Sequence, residues 1–246
     1  MVIPIYDNDP LDRNPYAFVT WTLIAINIVV FFITIGLSED DMLVLVRDYA
    51  VIPAAVIGKL ELGGSLPPFT GLFTYMFFHA GWSHIIGNML FLWVLGDNIE
   101  DAFGSVRFFF FFMLCGVAGG IAHLLSTPDS VAPLIGASGS VAGIVAAYLM
   151  LRPCAKIMIL LFGFIPLSLG SAWVLGFWAL AQVWNVLSPA GGDTAWWAHI
   201  GGFVTGAVLT LVFRRPDVAL FECMHPGDVM VAKAALPGLK RRWGSR

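Results

Sequence analysis

Ser138 stands in LIGASGS, residues 134–140, with Gly136 before it and Gly139 after it, where an uncharged stretch gets under way. A serine hydroxyl becomes a nucleophile once a base lies within hydrogen-bond reach. His199, in WWAHIGGFVTGAVL, is the candidate base. A histidine inside an apolar run is costly to keep there and reads first as functional. HAGWSHIIGN, residues 79–88, adds His79, His84 and Asn88. His84 and Asn88 are one helical turn apart and share a face; both donate hydrogen bonds, as an oxyanion site requires. The chemistry this set allows is acyl transfer by a serine–histidine pair.

Each of these residues also has a plainer reading. Ser138 can cap a helix. His199 can sit at an interface near a loop, and His84 and Asn88 can bond between helices for ~1 kcal/mol each. His123, near the end of another apolar run, has no assigned role. Asp193, shortly before His199, raises the idea of a Ser-His-Asp triad, but a loop aspartate is more often simply solvated. Position 140 is Ser140, so the string is not G-x-S-x-G and the strand–turn–helix elbow of α/β-hydrolases does not apply.

The elements that must position these side chains follow from composition. The chain has 246 residues, 59% hydrophobic and 12% charged. Soluble domains carry about 25% charge, so the class expected is an integral membrane protein. A net charge of −3 gives no footprint for nucleic-acid binding. Cys115, Cys154 and Cys223 are too few and too scattered for a disulfide framework. Cys223 and His225 could be two metal ligands, but two are not a site; no metal and no cofactor is expected. MVIPIYDNDPLDRNPY reads neither as a signal peptide nor as a mitochondrial presequence, so the first apolar segment is expected to be retained as a span.

Charged residues divide the chain into uncharged stretches: Arg13 to Glu39, Leu62 to Gly96, Phe108 to Pro128, Ser130 to Leu151, Ile157 to Gly192 and Thr194 to Phe213. At ~20 apolar residues per span, this predicts an all-α bundle of six transmembrane helices. The fifth stretch holds one helix behind an apolar lead-in broken by Pro166. Strict alternation of apolar and polar residues, the mark of barrel strands, is absent. Eleven of the 13 lysines and arginines fall in one set of segments: Arg13, Arg107, Arg152 and Lys156, and the tail. Arg47 and Lys59 make up the other set. The asymmetry predicts both termini in the cytoplasm. Loop 39–72 and the start of the fourth helix are then external.

Asp129, Pro133 and Gly136 keep the fourth helix from starting much before Ser138, and Arg152 ends it. From Ser138 to Leu151 is about 21 Å at ~1.5 Å per residue, against ~30 Å of hydrocarbon. The shortfall sinks Ser138 below the external surface, at a helix N-terminus whose free N–H groups and partial positive charge favour an anion. Loop 130–137 must dip in to meet it. Irregular backbone at that depth is tolerated only against protein or a water-filled cavity. Gly139, Gly143 and Ala147 form one small-residue stripe, and His199, Gly202 and Gly206 share a face of the sixth helix. Close packing of the two would bring histidine to serine.

The ordered set GASG (136–139), AHIGGFVTG (198–206), HAGWSHIIGN (79–88) and EDAFG (100–104) resembles the rhomboid family of intramembrane serine proteases. The resemblance covers roughly residues 16–213. It implies a cytoplasmic segment 1–15, a six-helix membrane domain 16–213 and a cytoplasmic tail 214–246, in a bacterial inner or plasma membrane. It implies a Ser138–His199 dyad without a carboxylate. Asn88, His84 and the Ser138 N–H would hold the oxyanion, and His79 would support the polar cavity. Glu100 and Gly104 match a structural part of the loop after span two. The implied substrates are transmembrane segments of other proteins, cut near the external face after small residues beside helix-destabilising ones. The fifth helix and the Asp193 loop would gate entry. Oligomeric state is not implied.

Two departures stand out. Ala142 occupies a position where some members carry an aromatic that stacks on the histidine, so orientation of His199 is expected to rest on packing. A Trp-x-Arg element is missing from residues 39–72. The competing classes are a rhomboid-like pseudoprotease that binds membrane segments without cutting them, and a transporter; no paired halves support the latter. The basic tail reads as a topology anchor, or as KRRW resting on anionic lipid.

Overall fold

Apolar runs bounded by glycine, proline and charge fold here chiefly as helices; the computed structural model describes residues 2–161, 163–188 and 195–223. Strand β1 (Val2–Asp7) precedes α1 (Phe18–Thr34). The next segment contains α2 (Glu39–Tyr49) and the single turns α3 (Pro53–Val56) and α4 (Gly71–Thr74), with 3-10 turns at Pro68–Thr70 and Tyr75–Phe77. Then come α5 (Trp82–Phe103), α6 (Ser105–Ser126) and α7 (Ser138–Leu151). A hairpin of β2 (Lys156–Leu161) and β3 (Ile165–Gly170) leads into α8 (Ser171–Leu187), and α9 (Trp196–Phe213) follows.

The all-α expectation fails at one end of the bundle. β1, β2 and β3 form an antiparallel sheet in that order, pairing Val2 with Leu161, Asp7 with Ile157, and Lys156 with Gly170. The apolar lead-in before Pro166 is therefore a β-hairpin. Pro166 cannot donate within a helix, Gly163 supplies a positive φ of 86° at the turn, and Ile157 and Ile159 alternate inward along β2. Apolar residues on both faces hid that period in the sequence.

α7 is the axle of the helical body. Its residues from Gly139 to Tyr148 are all buried, as expected of a helix that is apolar all round. It packs between α6 and α9, and glycines make the contact close. A Cβ at Gly202 would lie 1.9 Å from the Gly139 carbonyl oxygen, and one at Gly206 would lie 2.4 Å from the Gly143 Cα. α6 and α9 are long and apolar enough to cross a membrane, while α1, α7 and α8 are shorter apolar helices. α8 turns Trp173, Phe177, Leu180, Trp184 and Leu187 outward.

Buried carboxylates fasten the end of the bundle opposite Ser138. α1 has no side-chain cap of its own. Glu100, fully buried, accepts instead from the backbone N–H groups of Val19 at 3.0 Å and Thr20 at 2.7 Å, and from the hydroxyls of Thr20 and Ser105. It thus satisfies two of the free donors at a helix N-terminus from another helix. Asp101 accepts from the backbone of Asp12, Arg13 and Asn14. Glu100 lies within α5 rather than in a loop, and Gly104 ends that helix at φ +84°. Arg152 bridges Asp9 and Glu222 at 2.8 Å each.

At the same end Cys154 is disulfide-bonded to Cys223, with Cα atoms 5.0 Å apart. The cysteines looked scattered only along the chain. The turn after α7 and the segment after α9 meet, with Phe221 N–H donating to the Met150 carbonyl at 2.7 Å. Cys223 is therefore not a free thiol, and the metal idea loses one of its two ligands. His225 and most of the tail lie outside the described residues.

Candidate active site

α7 starts at Ser138, so its first turn carries the candidate nucleophile. Ala137 is the N-cap residue and no side chain caps the helix. The Ser138 hydroxyl is not engaged as a cap; Ser138 Oγ lies 2.8 Å from His199 Nε2. Ser138 is partly exposed, while His199 is buried.

The irregular backbone leading to Ser138 is held by protein. Leu134 exchanges both backbone hydrogen bonds with Val51, Ala54 N–H donates to the Ser130 carbonyl, and Gly136 N–H donates to the Tyr75 carbonyl at 2.9 Å. The Tyr75 hydroxyl in turn donates to the Gly116 carbonyl of α6 at 2.7 Å. The segment before α5 thus braces the approach to the serine, and Gly136 can turn there because its φ is +118°.

His199 is delivered by α9 across the glycine seam. Gly202 is one turn further along the same face, and its missing side chain lets the α9 backbone rest on the first turn of α7. Ser138 and His199 come together because both lie at the same end of this seam.

α5 brings His84 and Asn88 to the same place. A Cβ at Gly136 would sit 2.4 Å from His84 Nε2 and 3.7 Å from Asn88 Nδ2, so both side chains end against the backbone just before Ser138. Asn88 Nδ2 is buried with no hydrogen-bond partner among the described residues. His79 does not share their helix, because α5 begins at Trp82. It precedes that helix, buried, with its ring centroid 5.0 Å from that of His84.

The other side of His199 was not anticipated. Its Nδ1 lies 2.8 Å from Gln182 Oε1 of α8. The Trp178 ring stacks on the imidazole, with centroids 6.1 Å apart and planes 29° apart, and Trp196 meets it edge-on. Ala142 is fully buried, so the aromatic missing from α7 has a counterpart on α8. The signal was partial: Gln182 and Asn185 are both side-chain amides in a mostly apolar helix, and only the packing of α8 against α9 shows that Gln182 is the one turned inward. Asp193 and the loop around it lie outside the described residues. Among the described residues, no group of three or more His, Cys, Asp or Glu side chains could hold a metal ion.

The family model of the Rhomboid domain matches residues 68–216. The chain belongs to the rhomboid family. That stretch runs from the turn before α4 to just past α9 and contains Asn88, Ser138 and His199. Similar proteins include the mitochondrial Rhomboid protein 1 of Saccharomyces cerevisiae, 28% identical over 76% of this chain and 51% of that protein. The Rhomboid protease GluP of Bacillus subtilis is 28% identical over 61% of this chain and 27% of its own. Rhomboid-related protein 2 of Mus musculus is 32% identical over 61% of this chain and 50% of its own. The chain thus spans about half the length, or less, of these relatives. Other similar rhomboids are named as mitochondrial or chloroplastic. Membership therefore carries membrane association, and the expectation of a bacterial inner membrane is not supported.

Proposed function

We propose that this rhomboid is an intramembrane serine endopeptidase that cuts transmembrane segments of other proteins with a Ser138–His199 dyad. The observation that carries the reading is the 2.8 Å approach of Ser138 Oγ to His199 Nε2 at the partly exposed start of a 14-residue helix. Ser138 Oγ attacks the scissile carbonyl as His199 Nε2 takes its proton, giving a tetrahedral oxyanion and an imidazolium. The imidazolium protonates the leaving amine, the C–N bond breaks, and an acyl-serine remains. Water, deprotonated by the same imidazole, then releases the carboxylate product and restores the hydroxyl.

The developing oxyanion is met by the Ser138 N–H at the start of α7, by Asn88 Nδ2 and by His84. The buried Nδ2 of Asn88, without a partner among the described residues, supports this, since a buried donor without an acceptor is costly to keep. His79 shapes the polar cavity. The membrane domain comprises residues 16–213, with α1, α5, α6, α7, α8 and α9 as its six spans. The segment 1–15 and the tail 214–246 lie in the cytoplasm, and cleavage takes place near the external face. Substrates bear small residues beside helix-destabilising ones, and they enter past α8 and the Asp193 loop.

The test uses purified protein in detergent with a model transmembrane substrate. Cleavage by the wild type, its loss in Ser138→Ala and its persistence in Asp193→Asn are expected. Equal cleavage by Ser138→Ala removes the protease reading. A protein that binds the segment without cutting it, and that no fluorophosphonate labels, is instead a pseudoprotease. Orientation has its own test, because Cys154–Cys223 lies on the arginine-rich side and cytosolic disulfides are rare. A reporter fused after Arg246 should read as cytoplasmic; an external signal reverses the assignment.

A further inference from the structure

We infer that Gln182 is the third member of the Ser138–His199 unit, a neutral positioning residue on α8 that fixes which imidazole nitrogen faces the serine. The inference rests on the dyad proposed above and adds to it. Gln182 Nε2 donates to the Trp178 carbonyl at 2.8 Å. That bond settles the orientation of the amide, because only its nitrogen can donate to a carbonyl. The atom left facing His199 Nδ1 at 2.8 Å is therefore Oε1, which can only accept. Nδ1 must then carry the ring proton. In a neutral imidazole this leaves Nε2 as the unprotonated nitrogen, directed at Ser138 Oγ 2.8 Å away. A continuous relay runs from the Ser138 hydroxyl through His199 and Gln182 to the α8 backbone.

A serine–histidine pair needs such a partner, because an imidazole in the wrong tautomer presents N–H to the serine and cannot accept its proton. In serine triads the partner is a carboxylate; a side-chain amide does the orienting without adding charge, as in cysteine–histidine–asparagine sites. An amide suits this location, since a buried carboxylate near the bilayer interior is expensive. Trp178, on the same face one turn earlier, covers the ring. Both groups belong to α8, not to the α6–α7–α9 seam. Its outward half is lined by Leu180, Trp184 and Leu187, and the Gln182–His199 bond ties it to α9. His199 is therefore oriented when α8 is seated.

The experiment compares wild type, Gln182→Leu and Gln182→Glu. It reads kcat and KM on a transmembrane substrate, the rate of Ser138 labelling by a small fluorophosphonate, melting temperature, and the 15N resonances of His199. Gln182→Leu should lower kcat and the labelling rate roughly 10–100-fold, leaving KM within about twofold and melting little changed. Its 15N spectrum should move from one Nδ1–H tautomer to a mixture. Gln182→Glu keeps the acceptor and should recover at least tenfold of the loss. A Gln182→Leu protein labelled at the wild-type rate with an unchanged tautomer overturns the inference. So does equal slowing of both variants with a lowered melting temperature, which marks a packing role. If the wild type neither cleaves nor labels, the protease reading fails, and the 15N spectrum of the wild type still decides whether Gln182 fixes the ring.

Discussion

Gly202→Ala is the sharpest test of how the site is assembled. The added Cβ would lie 1.9 Å from the Gly139 carbonyl oxygen, in a seam made of backbone on both sides. No flexible side chain is available to give way, so the helices must separate. Restoring an ordinary contact of 3.4 Å or more requires about 1.5 Å of displacement between α7 and α9 at that level. His199 lies one turn away on the same face of α9 and moves with it. Its 2.8 Å bond to Ser138 then lengthens past hydrogen-bond reach. A misplacement of ~1 Å costs about 100-fold in rate, so kcat/KM and Ser138 labelling should each fall at least that far. Overpacking costs ~1–3 kcal/mol of stability, which leaves a folded protein. The assay is the fluorophosphonate labelling rate in detergent beside a thermal melt. Gly176→Ala on α8 is the control, because a Cβ there meets nothing within 4 Å. Wild-type labelling by Gly202→Ala would refute the reasoning, since it would mean that the seam does not set the serine–histidine distance.

Two further outcomes are expected at the opposite end of the bundle. Burial holds the Asp7 carboxyl up at about 7, reinforced by the charges of Asp97 and Asp9 and opposed by the hydrogen bond from the Tyr148 hydroxyl. A raised carboxyl favours folding fully below its unfolded value of 3.8, and that contribution is lost as pH climbs through about 7. Asp7→Asn should therefore raise the melting temperature at pH 8 by the equivalent of ~2 kcal/mol after screening. It should do little at pH 4; equal destabilisation at both pH values contradicts this. Cys154→Ser, or quantitative reduction of the oxidised protein, should cost about 2–4 kcal/mol by releasing a long closed loop. Melting temperatures that ignore a verified loss of the cross-link would show that the non-covalent contacts at this end, the Arg152–Asp9 and Arg152–Glu222 pairs among them, hold it without the disulfide.

Residues that break local rules were the ones the sequence announced. Ser138 between glycines, His199 in an apolar run and the glycines at 202 and 206 each cost stability unless used, and all converge. The start of α7 was legible for a simple reason: Asp129, Pro133 and Gly136 leave few places to begin, and Arg152 leaves one place to end. What stayed hidden depended on partners distant in the chain. Gln182 means little until α8 is set against α9. β1 and the 156–170 hairpin carry apolar residues on both faces, so no period of two stood out. Nothing in HAGWSHIIGN shows that His79 stands off the helix that carries His84, which begins only at Trp82. Cys154 and Cys223 lie 69 residues apart, and only the return of the chain past the end of α7 joins them.

The two ends of α7 answer the same shortage of length in opposite ways. A 14-residue helix covers about 21 Å, so its ends cannot both reach the surfaces of a ~30 Å core. At the Leu151 end, side chains close the gap: Tyr148 donates to Asp7 at 2.6 Å, and Arg152 is clasped between Asp9 and Glu222. Charges satisfied in this way leave little reason for water to enter. At the Ser138 end, backbone closes it, with loop 130–137 stitched to Val51, Ala54 and Tyr75, and the serine stays partly exposed. In the proposed protease, water would reach the hydroxyl from this end, as hydrolysis of an acyl-serine inside a bilayer demands. On that proposal, lengthening α7 would bury the serine against lipid and shortening it would pull the opposite plug inward, so the length of this one helix would set both the depth of the serine and the direction of its water.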